Sequence, residues 1–270
     1  MAVRVSGPIG GLALTGEEPR PIFVVGCQRS GTTLLRLMID SHPNISCGPE
    51  TRFLKDFSEI TGKNWERLSL YGFPKEYWYE KVADLFDTFQ SDYAAARGKK
   101  RWADKTPLYA LSLPYIVDIF PTCQIIHVIR DGRAVVASHR DRFGYISAVK
   151  ATEKWGRYIR AARQVGSALP AERYLEVRYE NLISDTEGTL RTLLEFLGEP
   201  WDPAVLDYDT SPHDVMPHYA TFTRSRRQSA SGPGTVYTNR LASWKRELDP
   251  LLLLLIRWRG GATLRELGYR

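Results

Sequence analysis

Cysteine is scarce and badly placed for structural use. Cys27, Cys47 and Cys123 are three in 270 residues, odd in number and far apart, with no CxxC pair. They can build neither a disulfide framework nor a thiolate metal site. A reducing compartment, the cytoplasm, is therefore the expectation. The five histidines (His42, His127, His139, His213, His218) show no HxxxH or HExxH spacing, so no metal is assigned. A GxSxG elbow is also missing, which removes the usual signature of a serine hydrolase. The one strongly apolar run, residues 251–256, is far too short to span a bilayer. Residues 1–20 hold Gly, Pro and two glutamates and have no signal-like apolar core. These absences leave a soluble chain with a flexible arm over residues 1–20 and one domain over residues 21–270.

What is present is ordinary globular composition, 43% hydrophobic and 25% charged, enough to enclose one sizeable core. The formal net charge of +6 favours an anionic partner: a nucleotide, an acidic substrate or a membrane surface. Residues 21–26 (PIFVVG) read as a buried strand ending in a turn glycine, and residues 33–40 carry apolar positions at helical spacing. The unit recurs in residues 124–129 (QIIHVI) followed by a helix from Arg133 to about His139. It recurs again in residues 173–177 followed by a helix over residues 187–197 that stops at Gly198. Strands alternating with helices predict an α/β fold with a parallel, doubly wound sheet, its ligands beyond the carboxyl ends of the strands. Residues 53–100 read as a helical insertion over that edge, and residues 223–234 (TRSRRQSASGPG) as a basic loop able to order on a ligand.

The stretch GCQRSGTTLLR, residues 26–36, carries the chemistry. Backbone N–H groups of a Gly-x-x-x-x-Gly turn at a helix start form a nest for phosphate-like oxygens, and Thr32 and Thr33 add hydroxyl donors. A nucleotide triphosphatase places lysine directly after the second glycine; here Thr32 follows Gly31, and the cation, Arg29, lies inside the loop. Triphosphate chemistry with magnesium is disfavoured. A lone glycine frame could equally be a turn packing a helix against a strand. The two threonines, the arginine and the preceding apolar strand favour an anion site.

GCQRSGTTLLR resembles the 5′-phosphosulfate loop of sulfotransferases that use 3′-phosphoadenosine-5′-phosphosulfate, and IRDGRAVVAS, residues 129–138, resembles that family's 3′-phosphate segment. The resemblance implies a P-loop-like three-layer fold with a central parallel sheet. It also implies 3′-phosphoadenosine-5′-phosphosulfate as cosubstrate and adenosine 3′,5′-bisphosphate as product. Arg29, Ser30, Gly31, Thr32 and Thr33 would hold the 5′ end, and Arg130 and Ser138 the 3′-phosphate, with Arg142 one turn further on. Residues 29–52, through His42-Pro43 to Glu50-Thr51-Arg52, resemble the tyrosylprotein branch and its bacterial relatives. There the glutamate is the catalytic base, which implies Glu50, with Arg52 on the substrate side. WADKTP, residues 102–107, resembles the family's lysine segment, implying that Lys105 stabilises the leaving oxygen, unless Asp104 pairs with it and holds it away. Tyr179, in RYENL, either approaches the nucleotide or seals the core. Tyr237 is implied as a cofactor contact and Trp244 as core. Secretory members of the tyrosylprotein branch have disulfides near the Glu and Lys segments. Here Trp102 and Ala103 stand where a partner for Cys47 would be expected, which argues against a Golgi-lumen enzyme.

The expectation is a sulfotransferase acting on an acceptor hydroxyl of a small molecule, sugar, lipid or tyrosyl group, with no nucleic-acid partner. Its rivals are a phosphotransferase with an unusual loop and a non-catalytic adenosine bisphosphate-binding protein. Residues 53–100 and 223–234 are expected to shape the acceptor pocket, where aromatic residues such as Trp65, Tyr71, Tyr77, Trp78 and Tyr79 admit a sugar, phenol or lipid equally well.

Overall fold

The computed structural model describes residues 20–214, 242 and 244–269. Among these, five strands form one parallel sheet: β1 (Ile22–Gly26), β2 (Ile45–Cys47), β3 (Arg101–Lys105), β4 (Gln124–Ile129) and β5 (Tyr174–Arg178), in the order β2-β3-β1-β4-β5. Connections from β1 lead to one side of it and those from β3 cross to the other, so the crevice of this doubly wound sheet lies beyond the end of β1.

Side chains alternate across a strand, and the alternation sorts the core into two layers. Ile22 and Val24 of β1, Ala103 of β3 and Ile126 and Val128 of β4 pack under α1 (Thr32–Asp40), α8 (Tyr179–Ser184) and α9 (Thr186–Leu197). Phe23 and Val25, Trp102, and Ile125 and Ile129 face the other layer. That layer holds α4 (Lys75–Ala96), α5 (Leu113–Ile119), α6 (Gly132–Phe143), α7 (Tyr145–Gly166) and a C-terminal helix, α11 (Pro250–Glu266), preceded by the short α10 (Trp244–Glu247). Helix, sheet and helix make three layers, as the resemblance implied. No helix among the described residues is long and apolar enough to cross a membrane.

The elements read from apolar runs stand where the sequence put them, with α6 reaching Phe143 rather than stopping near His139. Several elements were not read, β3 and α7 among them. β3 is wholly buried although three of its five residues are charged. Arg101 lies inside because its guanidinium is bonded to the Leu197 carbonyl at 2.7 Å, to Glu199 at 3.1 Å and to Gln124. α7 follows α6 after only Gly144, whose φ of 79° turns the chain. The insertion is helical throughout, with α2 (Phe53–Lys63) and α3 (Trp65–Ser69) leading into α4.

Phe23 is the hub of the second layer: its ring meets Trp102 at 5.5 Å, Phe120 at 5.6 Å, Tyr109 at 6.2 Å and Phe86 at 6.4 Å. Deleting it would leave a void that four rigid rings cannot fill. Phe23→Ala is expected to cost about 3–5 kcal/mol, read from urea unfolding curves with an unchanged m-value.

Candidate active site

The loop after β1 closes on itself through Ser30 N–H donating to the Cys27 carbonyl at 3.1 Å, and α1 starts from the Gly31 carbonyl. Gly31 has φ 97°, and a methyl group there would sit 2.2 Å from the Tyr179 ring, so neither backbone nor space accepts another residue. Arg29 adopts φ 72° without a glycine's freedom; among the described residues only Arg52 shares that condition outside glycine. Such strain persists where surrounding structure holds it, and it concentrates at functional sites. Both arginines were nominated from the sequence.

The left-handed turn sends the Arg29 side chain across to α6, where Nε donates to Ser138 Oγ at 2.9 Å, while the Arg29 carbonyl accepts from Arg130 Nη1 at 3.0 Å. Arg130 lies at the end of β4 with its guanidinium 4.3 Å from the Tyr179 ring centre. Asp131 does not take Arg130 as its ion-pair partner. It caps α6 through the Arg133 N–H at 2.9 Å and pairs with the Arg133 guanidinium at 2.7 Å. Arg29, Arg130, Ser138 and Tyr179 thus gather beside the glycine loop. Tyr179 is buried at 5% exposure, sealing the core while its ring packs against both the loop and Arg130. Ser30 Oγ is fully buried with no hydrogen-bond partner among the described residues. An orphaned hydroxyl in a glycine loop that opens a helix suits an oxyanion, so the loop fits the phosphosulfate end of the implied cosubstrate. Arg142 is exposed in the last turn of α6. Tyr237 lies outside the described residues.

The second half of the site is built by β3. Alternation places Lys105 on the α1 side and Asp104 on the α4 side. Lys105 Nζ forms an ion pair with Glu50 and lies 3.5 Å from Thr33 Oγ1, joining base candidate, lysine and glycine loop in one contact chain. Asp104 accepts from Thr51 Oγ1 and Thr106 Oγ1, both at 2.7 Å, and more distantly from Gln90 at 3.4 Å. It holds the backbone around the site, and the alternative pairing with Lys105 does not form. Thr51 Oγ1 also meets Tyr109 Oη at 2.8 Å, and that oxygen accepts the Leu54 N–H at 3.1 Å. The Glu50-Thr51-Arg52 turn is thereby fixed from below by buried groups that sequence reasoning missed. Its one signal was a carboxylate beside threonines. Arg52 starts α2, exposed, with φ 62°. Trp244 is half-buried and packs against the second core layer, its ring centre 4.0 Å from the Arg133 guanidinium.

Burial pushes the Asp104 carboxyl up to about 6, with the threonine hydrogen bonds opposing. His139, bordering the loop and bonded to Ser147 Oγ at 3.0 Å, goes the other way, pulled down to about 4 by burial with Arg29 and Lys154 adding. It is neutral near pH 7.

The sulfotransferase family model matches residues 21–203. A protein-tyrosine sulfotransferase of Drosophila melanogaster is 32% identical over 202 residues, covering 70% of this chain and 40% of that relative. The sulfotransferase domain of the Synechococcus PCC 7002 olefin synthase superposes with a TM-score of 0.64 at 23% identity, covering 90% of this chain and 95% of that one. A mouse sulfotransferase solved with PAP superposes at 0.51 and 15% identity, covering 92% of this chain and 85% of that one. The chain belongs to the sulfotransferase family. It spans about half the length of the curated relatives it matches.

Folding raises the Asp104 pKa from 3.8 to about 6, so its protonated form favours the native state. That contribution is complete below about pH 4 and lost as pH rises through about 6. Asp104→Asn is expected to remove this slope: thermal melts of wild type and variant between pH 4 and 7 should diverge by up to about 3 kcal/mol, with wild type relatively favoured at the acid end.

Proposed function

We propose that this protein transfers a sulfuryl group from 3′-phosphoadenosine-5′-phosphosulfate to an acceptor hydroxyl, with Glu50 as base. The observation that carries this reading is the Lys105 ammonium held between Glu50 and the Thr33 hydroxyl of the glycine loop. One cation there touches both the residue that would take a proton and the loop that would hold the leaving phosphate. The similarity to a mouse sulfotransferase complexed with PAP and to protein-tyrosine sulfotransferases supports it.

When bound, the cosubstrate supplies an electrophilic sulfur on a good leaving group. The loop amides with Ser30, Thr32 and Thr33 hold its 5′ end by donating to oxyanion oxygens. Arg130 and Ser138 hold the 3′-phosphate, and Arg29, bonded to both, sets the distance between the two ends. Glu50 accepts the acceptor's hydroxyl proton as that oxygen bonds to sulfur. Lys105 stabilises the electron pair left on the 5′-phosphate oxygen as its bond to sulfur breaks. Anchoring at both ends provides the positional advantage of a unimolecular reaction. Arg52, exposed next to Glu50, meets the acceptor. A magnesium-dependent phosphotransferase is less well supported, because Asp104, the one carboxylate of β3, faces the opposite layer and accepts from two threonine hydroxyls.

Sulfate transfer should proceed in excess EDTA with a broad acceptor panel. Glu50→Gln and Lys105→Ala should each lower kcat by about 10²–10³-fold, Glu50→Gln with affinity for adenosine 3′,5′-bisphosphate (PAP) within about threefold of wild type. Arg130→Ala should weaken PAP binding by about 10- to 100-fold, measured by calorimetry. Normal turnover in Glu50→Gln would remove the base assignment, and PAP binding indifferent to Arg130→Ala would remove the nucleotide's placement.

A further inference from the structure

Between α2 and α4 lies a cavity of about 390 Å³, within the size range of small-molecule sites. Its walls are Phe53, Phe57 and Ile60 from α2, spaced to fall on one helical stripe, and Leu85, Phe86 and Phe89 from α4. Phe86 is the floor, fully buried and packed against Trp102 at 5.5 Å. The rim is apolar and wet: Phe53 and Ile60 are 50% exposed and Leu85 57%. Among the described residues Asp56 is the only lining side chain with a charge, and it sits at the surface beside Lys55 at 3.8 Å. The aromatic residues nominated from the sequence are elsewhere. Tyr71, Tyr77 and Trp78 pack edge to face among themselves, Tyr79 meets Tyr115 at 5.0 Å, and none of these nor Trp65 lines the cavity.

The cavity is tied to the reactive end of the site. Phe53 is three residues beyond Glu50, a backbone reach of at most about 11 Å. The Tyr109 hydroxyl that braces Thr51 also accepts the first-turn N–H of α2 at Leu54, so carboxylate and cavity mouth are held by one network. A sugar or a peptide backbone placed there would leave its polar groups unpaired. The nucleotide's charged groups have their partners at the loop and Arg130.

Resting on the sulfotransferase reading, we propose that this cavity receives the hydrocarbon portion of the acceptor, an alkyl or aryl group whose hydroxyl lies at Glu50. The acceptor class is then a small amphiphilic alcohol or phenol rather than a saccharide.

The test uses the full chain and 4-alkylphenols from phenol to 4-octylphenol. The value of kcat/KM for sulfate transfer should rise by about fourfold per added methylene until the cavity is full. Leu85→Trp and, separately, Ile60→Trp should stop the rise at a shorter chain while leaving phenol turnover and PAP affinity unchanged. Calorimetric binding of 4-octylphenol to the PAP-loaded protein should weaken at least tenfold in both variants. A flat series, or a chain-length limit and 4-octylphenol affinity unmoved in variants that melt like wild type, overturns the proposal. So does loss of self-association in Leu85→Trp without change in the phenol series, which would mark the face as a contact between copies of the chain. If nothing is sulfated and PAP does not bind, the sulfotransferase reading fails. 4-Octylphenol binding that responds to Leu85→Trp would still assign the cavity to an apolar ligand.

Discussion

Adjacent residues of a strand point to opposite faces, and at the end of β3 that constraint separates two charges of opposite sign. Lys105 goes to the α1 layer and Asp104 to the α4 layer, so a pair that would neutralise itself in a loop is split by the sheet. Each then finds a different partner. Lys105 reaches Glu50 and Thr33, and Asp104 takes hydroxyl hydrogen bonds from Thr51 and Thr106. The parallel pairing of β3 with β1 makes this useful, since it sets Lys105 opposite Val24, two residues short of the glycine that opens the loop. A cation is therefore delivered to the mouth of the anion nest by strand register alone.

The loop side depends on a second constraint, crowding. Gly31 leaves room for Tyr179, whose ring supports Arg130, and Gly132 leaves room for Trp155, whose indole N–H donates to the Arg130 carbonyl at 2.9 Å. The arginine is clamped at backbone and side chain by two aromatic residues that fit only because two glycines have no Cβ. An arginine so packed loses less rotamer freedom when it meets an anion, which is what preorganisation means for binding. Arg29 completes the arrangement at the cost of a left-handed φ, with its carbonyl on Arg130 and its side chain on Ser138.

What the sequence disclosed follows from which signals are local. β1, β4 and β5 announce themselves as apolar runs with turn residues after them, and α9 ends at a glycine with φ 73°. β3 was illegible because buried Arg101, Asp104 and Lys105 break the apolar pattern, each kept inside by partners more than 20 residues away in sequence or by neighbouring hydroxyls. α7 was illegible because a single glycine separates it from α6. The site residues could be nominated from short motifs, but their grouping could not. That Arg29 turns toward Ser138 depends on its backbone sign, and that Thr51 and Tyr109 brace the Glu50 turn depends on a contact across 58 positions. Within residues 53–100 the clustered aromatics stack on one another, while the cavity is lined by residues spaced along two helices, a grouping that no local signal carries.

The Lys105–Glu50 ion pair links the two halves of the chemistry. Without an anion in the loop, each charge is the other's nearest partner, which holds both side chains at the crevice instead of in solvent. An oxyanion seated near Thr33 competes with Glu50 for the same ammonium, because Nζ already lies 3.5 Å from the Thr33 hydroxyl. In the proposed reaction the same ammonium is shared between the leaving oxygen and the carboxylate that faces the incoming hydroxyl. On that reading the donor site and the base are linked through one side chain, and the buried Asp104 network braces the backbone beside both partners through Thr51 and Thr106.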